Sequence, residues 1–230
     1  MRALVLADGG RPDRAALDAA WPGWDEDLEL VIAADGGARH AAALGRRIDR
    51  WVGDGDSLGD AGLAALQADG VPIDRAPADK DESDTELAVL VAVAAGADDV
   101  TIVGALGGAR IDHALANVAL LGGPALAGRR ARLLDGSARV SLLVSRSAGA
   151  EGEPATAVLE GRPGDLVTLL ALGEDARGVT TTGLRFPLAD EDLAAGRTRG
   201  LSNVRTDRRA TVSVRLGRLL LVEVPATLSS

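Results

Sequence analysis

Cysteine is absent from all 230 residues, which excludes a disulfide scaffold, a thiolate metal site and a cysteine nucleophile. Tyrosine is absent too, and there is one phenylalanine; aromatic residues make up 2% of a chain that is 47% apolar. The core is therefore expected to be built from Ala, Val, Leu and Ile. Lysine is almost as scarce, with Lys80 alone against 24 arginines. No lysine follows a glycine, so a Walker A loop is excluded and any ATP must be held without one. The apolar runs are too short or too interrupted to span a membrane, and no signal pattern precedes the first of them. A soluble, cytoplasmic protein with no membrane partner is expected. The net charge of −9 disfavours nucleic acid as a partner, and 18 of the 24 aspartates fall within residues 1–112.

The first half alternates strand, turn and helix. Apolar runs at Ala3–Ala7, Leu28–Ala33 and Arg50–Gly53 read as strands, ending at Asp8-Gly9-Gly10, Asp35-Gly36-Gly37 and Asp54-Gly55-Asp56. Helices are predicted over 38–44, 61–68, 82–95 and 113–121, with further strands at 71–74 and 100–103. That alternation predicts a parallel sheet wrapped by helices. After about residue 135 the pattern changes to short strands between glycine turns, at 140–144, 156–160, 165–170, 178–182, 210–214 and 218–224. These read as an antiparallel sandwich. The fold class is thus an α/β, three-layer parallel-sheet domain over 1–135, followed by an antiparallel β-sandwich over 136–230. Ser229 and Ser230 read as a frayed end.

Ligands of open parallel sheets gather at the carboxyl ends of the strands. Asp8, Asp35, Asp54 and Asp56 fall there, and such a crowd of carboxylates repels itself unless a cation intervenes; hard oxygen ligands suit Mg²⁺. A lone D-x-D also occurs in ordinary polar loops, and in nucleotide-sugar transferases. The cluster Asp79-Lys80-Asp81-Glu82-Ser83-Asp84-Thr85-Glu86 suits a helix N-terminus, capped by Ser83 or Asp81. Lys80 does not fit that account, because a cation opposes the helix dipole there; a compact charge aimed at phosphate explains it better. Gly104 to His113 joins a strand to a helix. Gly107 and Gly108 allow close approach to an anion, and Arg110 can grip one, although a plain turn with a surface arginine has the same composition.

Taken in order, Asp35-Gly36-Gly37-Ala38, Gly53-Asp54-Gly55-Asp56-Ser57, Asp79-Lys80-Asp81 with Asp84-Thr85-Glu86-Leu87, and Gly107-Gly108 with Arg110, Asp112 and His113 resemble the thiamine pyrophosphokinase family. Thr182 to Leu188 and Leu201-Ser202-Asn203 resemble that family's second domain. The resemblance implies a nucleotide-binding catalytic domain and a thiamine-binding, dimerising sandwich, in a homodimer with sites between subunits. It implies Mg²⁺-dependent transfer of a pyrophosphoryl group from the co-substrate ATP to thiamine's hydroxyl. On it, Asp35, Asp54, Asp56 and Asp81 would hold metal, and Asp54, Asp56, Asp81 and Asp84 would be catalytic. Asp35, Gly36, Lys80, Thr85, Gly107, Gly108, Arg110, Asp112 and His113 would bind the nucleotide, and Phe186, Ser202 and Asn203 the vitamin. Gly55 stands where the family has an aromatic residue, and Ala109 is an insertion before Arg110. Another alcohol acceptor, such as a pterin, and a catalytically silent relative are the alternatives.

Overall fold

The computed structural model describes residues 1–145 and 153–226, so the terminal Ser229–Ser230 pair lies outside the described residues. The chain divides into two compact units, Met1–Gly136 and Ser137–Ser230.

The first unit runs β1 (Arg2–Leu6), α1 (Arg14–Ala20), β2 (Leu28–Ala34), a 3-10 turn (Asp35–His40), β3 (Arg50–Gly53), α2 (Gly59–Ala68), β4 (Ile73–Arg75), α3 (Asp84–Ala94), β5 (Asp99–Val103), α4 (Ile111–Leu120), a 3-10 turn (Pro124–Leu126) and β6 (Arg130–Leu134). Its strands lie in the order β6-β5-β1-β2-β3-β4, every neighbouring pair parallel. All of β5 and four of the five residues of β1 are buried, as strands covered on both faces must be. The chain steps outward from β1 to β4, then crosses to the other side of β1 to lay down β5 and β6. That reversal places a crevice at the carboxyl ends of β1 and β5.

The sequence pattern has no helix between the first two strands, yet α1 forms there. Its seven residues bury only Leu17, too little for a visible periodicity, while Asp13 caps it by accepting the Ala16 N–H at 3.2 Å. The helix expected over 38–44 is instead the 3-10 turn Asp35–His40 followed by turns. The helix read as 82–95 begins only at Asp84, because the Ser83 hydroxyl accepts the Glu86 N–H at 3.2 Å and ends the loop there. α4 begins two residues earlier than the pattern predicts, and β6 is a strand beyond those expected.

The core of this unit is aliphatic around Leu4, Leu6, Val31, Leu44 and Leu134, but it also contains Trp21, Trp24 and Trp51, which the composition did not anticipate. Each buried indole N–H has an acceptor: the Asp135 carbonyl (2.7 Å), Asp18 Oδ1 (2.8 Å) and the Asp35 carbonyl (3.0 Å), respectively.

The second unit contains β7 (Arg139–Ser145), β8 (Ala155–Glu160), β9 (Leu166–Ala171), β10 (Ala176–Thr182), β11 (Glu191–Leu193), β12 (Asn203–Val204), β13 (Arg209–Val214) and β14 (Gly217–Val224). Antiparallel pairing gives two layers, β12-β9-β14-β7 and β11-β10-β13-β8. Val167, Leu169, Leu219 and Leu221 of one layer meet Leu159, Val179, Val212 and Val214 of the other in a wholly aliphatic core. Glu223 is buried between two arginines, 2.7 Å from Arg205 Nη2 and 2.7 Å from Arg139 Nε. Removing Glu223 would strand the Arg205 charge in the interior. Among the described residues, no helix is long and apolar enough to cross a membrane.

Candidate active site

The floor of the crevice is main chain. Beyond β1 the Gly9 N–H donates to the Gly104 carbonyl at 2.7 Å, and the Gly10 N–H to the Leu106 carbonyl at 3.2 Å. The two loops lie so close that a Cβ on Gly9 would sit 2.3 Å from the Gly104 carbonyl oxygen. Above this floor is a cavity of about 710 Å³, within the ~300–1,000 Å³ range of small-molecule sites. Asp8, Asp35, Lys80, Asp84, Gly108 and Arg110 are among its walls, one or more from nearly every strand end.

Asp35 is the most constrained of these residues. It is buried with φ of 40°, a left-handed backbone unusual outside glycine. The Trp51 indole holds its carbonyl from beneath, and its carboxylate accepts the Ser57 and Leu58 N–H groups, both at 3.1 Å. Burial pushes the Asp35 carboxyl above the usual carboxylate range; those two N–H groups oppose the shift, and the neighbouring Asp56 and Asp84 add to it. Asp54 is held below that range, chiefly by the Asp56 N–H donating to its Oδ1 at 3.0 Å, with help from Lys80. One oxygen each of Asp35, Asp54 and Asp84 falls within 4.8 Å of the others. Lys80 Nζ lies among them, 3.3 Å from Asp54 Oδ2 and 3.0 Å from Asp84 Oδ1. Burial opposes its charge, but the two carboxylates outweigh burial and hold the ammonium above the ordinary lysine range.

Asp56 and Asp81 are both exposed; Asp56 acts on Asp35 and Asp54, while Asp81 lines the cavity wall beside Lys80. Thr85, Gly107, Gly108, Arg110, Asp112 and His113 line the cavity as well. Arg110 is turned onto Asp112, whose Oδ2 accepts from Nη2 at 2.6 Å. That contact holds the Asp112 carboxyl far below the usual range. Gly36 is buried rather than a cavity wall: a Cβ there would lie 2.2 Å from Asp8 Oδ2. The space it leaves admits a pair the sequence reading did not single out, Arg39 Nη2 to Asp8 Oδ1 at 3.1 Å. Arg39 Nη1 also donates to the Ser57 carbonyl at 2.8 Å, tying together the ends of β1, β2 and β3. Trp51, Arg39 and the buried Asn117, which donates to the Ala105 carbonyl at 2.9 Å, carry no motif in the sequence and show their role only through these bonds.

In the second unit Phe186 is exposed, while Asn203 is buried beside it and bonded to its backbone. Ser202, with φ of 54°, donates its N–H to Thr168 Oγ1 at 2.9 Å.

Residues 24–129 match the family model described as "Thiamin pyrophosphokinase, catalytic domain", and residues 157–219 that described as "Thiamin pyrophosphokinase, vitamin B1 binding domain". The chain belongs to the thiamine pyrophosphokinase family. The thiamine pyrophosphokinase of Bacillus subtilis (strain 168) is 24% identical over 222 residues, covering 96% of this chain and 98% of that protein. The crystal structure of the Bacillus subtilis enzyme superposes with a TM-score of 0.81 at 24% identity, over 98% of this chain and 99% of that one. That of Geobacillus thermodenitrificans gives 0.78 at 26% identity, over 97% of each chain. Yeast thiamin pyrophosphokinase keeps the fold at 14% identity, with a TM-score of 0.72 over 98% of this chain and 87% of that one. The known activity of the thiamine pyrophosphokinase family is transfer of a pyrophosphoryl group from ATP to thiamine. All the cavity residues except Asp8 and Gly9 fall inside the catalytic-domain match, and Phe186, Ser202 and Asn203 fall inside the vitamin-binding match.

Proposed function

We propose that this chain transfers a pyrophosphoryl group from ATP to the hydroxyl of thiamine, giving thiamine diphosphate and AMP. The observation that carries the reading is the gathering of Asp35, Asp84 and Lys80 in the wall of one cavity, with Asp54 paired to Lys80, in a member of this family.

The donor set fits Mg²⁺, since three hard carboxylate oxygens converge and leave room for phosphate oxygens to complete the shell. Asp35, Asp54 and Asp84 would hold the ion, and the exposed Asp56 and Asp81 are the neighbouring acids proposed to assist. When bound, the ion supplies charge neutralisation on the transferring phosphates. The protein's own part is placement. The Asp35 carboxylate is fixed by two backbone donors and cannot rotate to follow a misplaced ligand. Lys80 and Arg110 are the cations available to the phosphate chain, while Gly107, Gly108 and the start of α4 let main chain approach it. Thr85, Asp112 and His113 complete the nucleotide's surroundings in this reading. Acceleration then comes from orientation and fixed charge rather than from a covalent step. Phe186 offers a flat apolar face for a thiamine ring, and Ser202 and Asn203 shape the segment around it. A homodimer acting in the cytoplasm is part of the same proposal.

Incubation with ATP and thiamine, with AMP and thiamine diphosphate as readouts, tests the reading. AMP that depends on both thiamine and Mg²⁺ is expected. AMP formed with a pterin alcohol but not with thiamine would reassign the acceptor, and a sedimentation mass of one chain in the active fraction would reject the dimer.

A further inference from the structure

We propose that Lys80 is a displaceable counter-ion, whose ammonium occupies the cation position between Asp54 and Asp84 until a divalent ion takes that place. The proposal rests on the metal reading given above and adds a competition between the lysine and the ion.

The geometry leads to it directly. Lys80 Nζ is 3.0 Å from Asp84 Oδ1 and 3.3 Å from Asp54 Oδ2, and these two aspartates belong to the triad whose oxygens lie within 4.8 Å of one another. A magnesium ion needs oxygen at about 2.0–2.1 Å, so an ion bound to these carboxylates would sit against the ammonium, with like charges in a partly desolvated place. The lysine side chain is 11% exposed, so water cannot screen that repulsion well. One cation must leave. Lysine suits the role because its ammonium rides on a flexible four-carbon stem and makes no fixed fork with a carboxylate, whereas arginine would hold the pair bidentately. Every other side-chain cation in the chain except the two histidines is arginine. Once released, the ammonium is left within the same cavity, where the ATP phosphates are proposed to bind. Arrival of the metal and capture of phosphate by Lys80 thus become linked, and a site without metal remains neutralised enough to keep its fold.

Two measurements on the nucleotide-free protein test this, neither of them an assay of turnover. Mn²⁺ binding, counted by paramagnetic resonance of the free ion, is expected to be about tenfold or more tighter in Lys80→Met than in the unmodified chain, since a competing like charge has gone. Equal or weaker binding overturns the proposal while leaving the metal reading intact. Binding undiminished in Asp54→Asn shows that the ion sits elsewhere, and overturns both. Because there is one lysine, labelling with ε-¹³C lysine gives a single side-chain signal in the full chain, which makes the test independent of whether Lys80→Met folds. Mg²⁺ alone is expected to move that signal toward the position of a free lysine. A signal unmoved at saturating Mg²⁺ overturns the proposal.

Discussion

Asn203 grips Phe186 by its main chain: Oδ1 accepts the Phe186 N–H at 3.0 Å and Nδ2 donates to the Phe186 carbonyl at 2.7 Å. The same Oδ1 also accepts the Val204 N–H at 2.9 Å. The amide is therefore committed to the backbone, and the exposed ring of Phe186 is presented by it. On the proposed function Asn203 positions Phe186, whose exposed ring also carries the Arg185 guanidinium 5.5 Å from its centroid.

Replacing Asn203 with Ala should accordingly raise the KM for thiamine by about tenfold and leave that for ATP unchanged. Loss of a buried amide's bonds costs about 1–3 kcal/mol, so some fall in melting temperature will accompany it. Steady-state kinetics with each substrate varied in turn checks the split. A purely structural role would lower the melting temperature without singling out thiamine.

Trp51→Phe keeps most of the ring volume but removes the N–H that holds the Asp35 carbonyl. A destabilisation of about 1–3 kcal/mol is expected from the unpaired buried oxygen. Mn²⁺ affinity should fall in parallel as Asp35 loosens, which denaturant melts and metal titration will read together.

The geometry ranks Asp84 above Asp81. Asp84→Asn should lower kcat by about 10²–10³, the scale of losing one preorganised electrostatic group, and Asp81→Asn by clearly less. Measured kcat values in the reverse order would overturn the proposed place of Asp84 among the metal ligands.

His40 gives a pH signature. It is buried against Gly104, its Nε2 has no hydrogen-bond partner among the described residues, and burial depresses its pKa below the ordinary 6.5. Asp8 opposes that shift, while Arg39 and Arg11 reinforce it. With the folded pKa below the unfolded one, the folded state binds fewer protons, so the His40 contribution is intact above pH 6.5 and is lost progressively as pH falls below it. The melting temperature should decline from about pH 6.5 downward, and the decline should be shallower in His40→Leu.

Gly104→Ala should destabilise the first unit by about 2–4 kcal/mol, from a left-handed φ of 74° and a Cβ placed 2.3 Å from the Ala7 carbonyl oxygen. Urea unfolding followed by tryptophan fluorescence is the measurement, since all three tryptophans lie in that unit.

Much of this architecture was legible because β1, β2 and β3 are short, largely apolar runs that end on Asp-Gly. Burial on both faces leaves just that trace, and it marked the ends of β1, β2 and β3 where Asp8, Asp35 and Asp54 stand. Direction was harder to read than position. In Asp81-Glu82-Ser83-Asp84 the pattern does not choose among the acids; the Ser83 cap starts α3 at Asp84, and the Asp84 carboxylate meets Lys80 and joins Asp35 and Asp54. The sequence offers Ser83 or Asp81 as that cap, and the Ser83 hydroxyl fills the role. Trp51 was silent because its partner is the carbonyl of Asp35, and a carbonyl belongs to every residue type; Arg39 was silent because its partner Asp8 lies 31 positions away in the chain. The scarcity of aromatics pointed to a wholly aliphatic core, which holds for the sandwich and fails in the first unit, where the three indoles were concentrated.

The glycine loops at the ends of β1 and β5, bonded to each other through Gly9 and Gly104, have an implication for anyone wishing to redirect this protein. A surface made of peptide groups offers no side chains to exchange, and adding one collides with the opposite loop. If the cavity takes the nucleotide as proposed, altered preference will have to be engineered from the sides, at positions such as Arg110 and His113, with the base of the pocket treated as a constant.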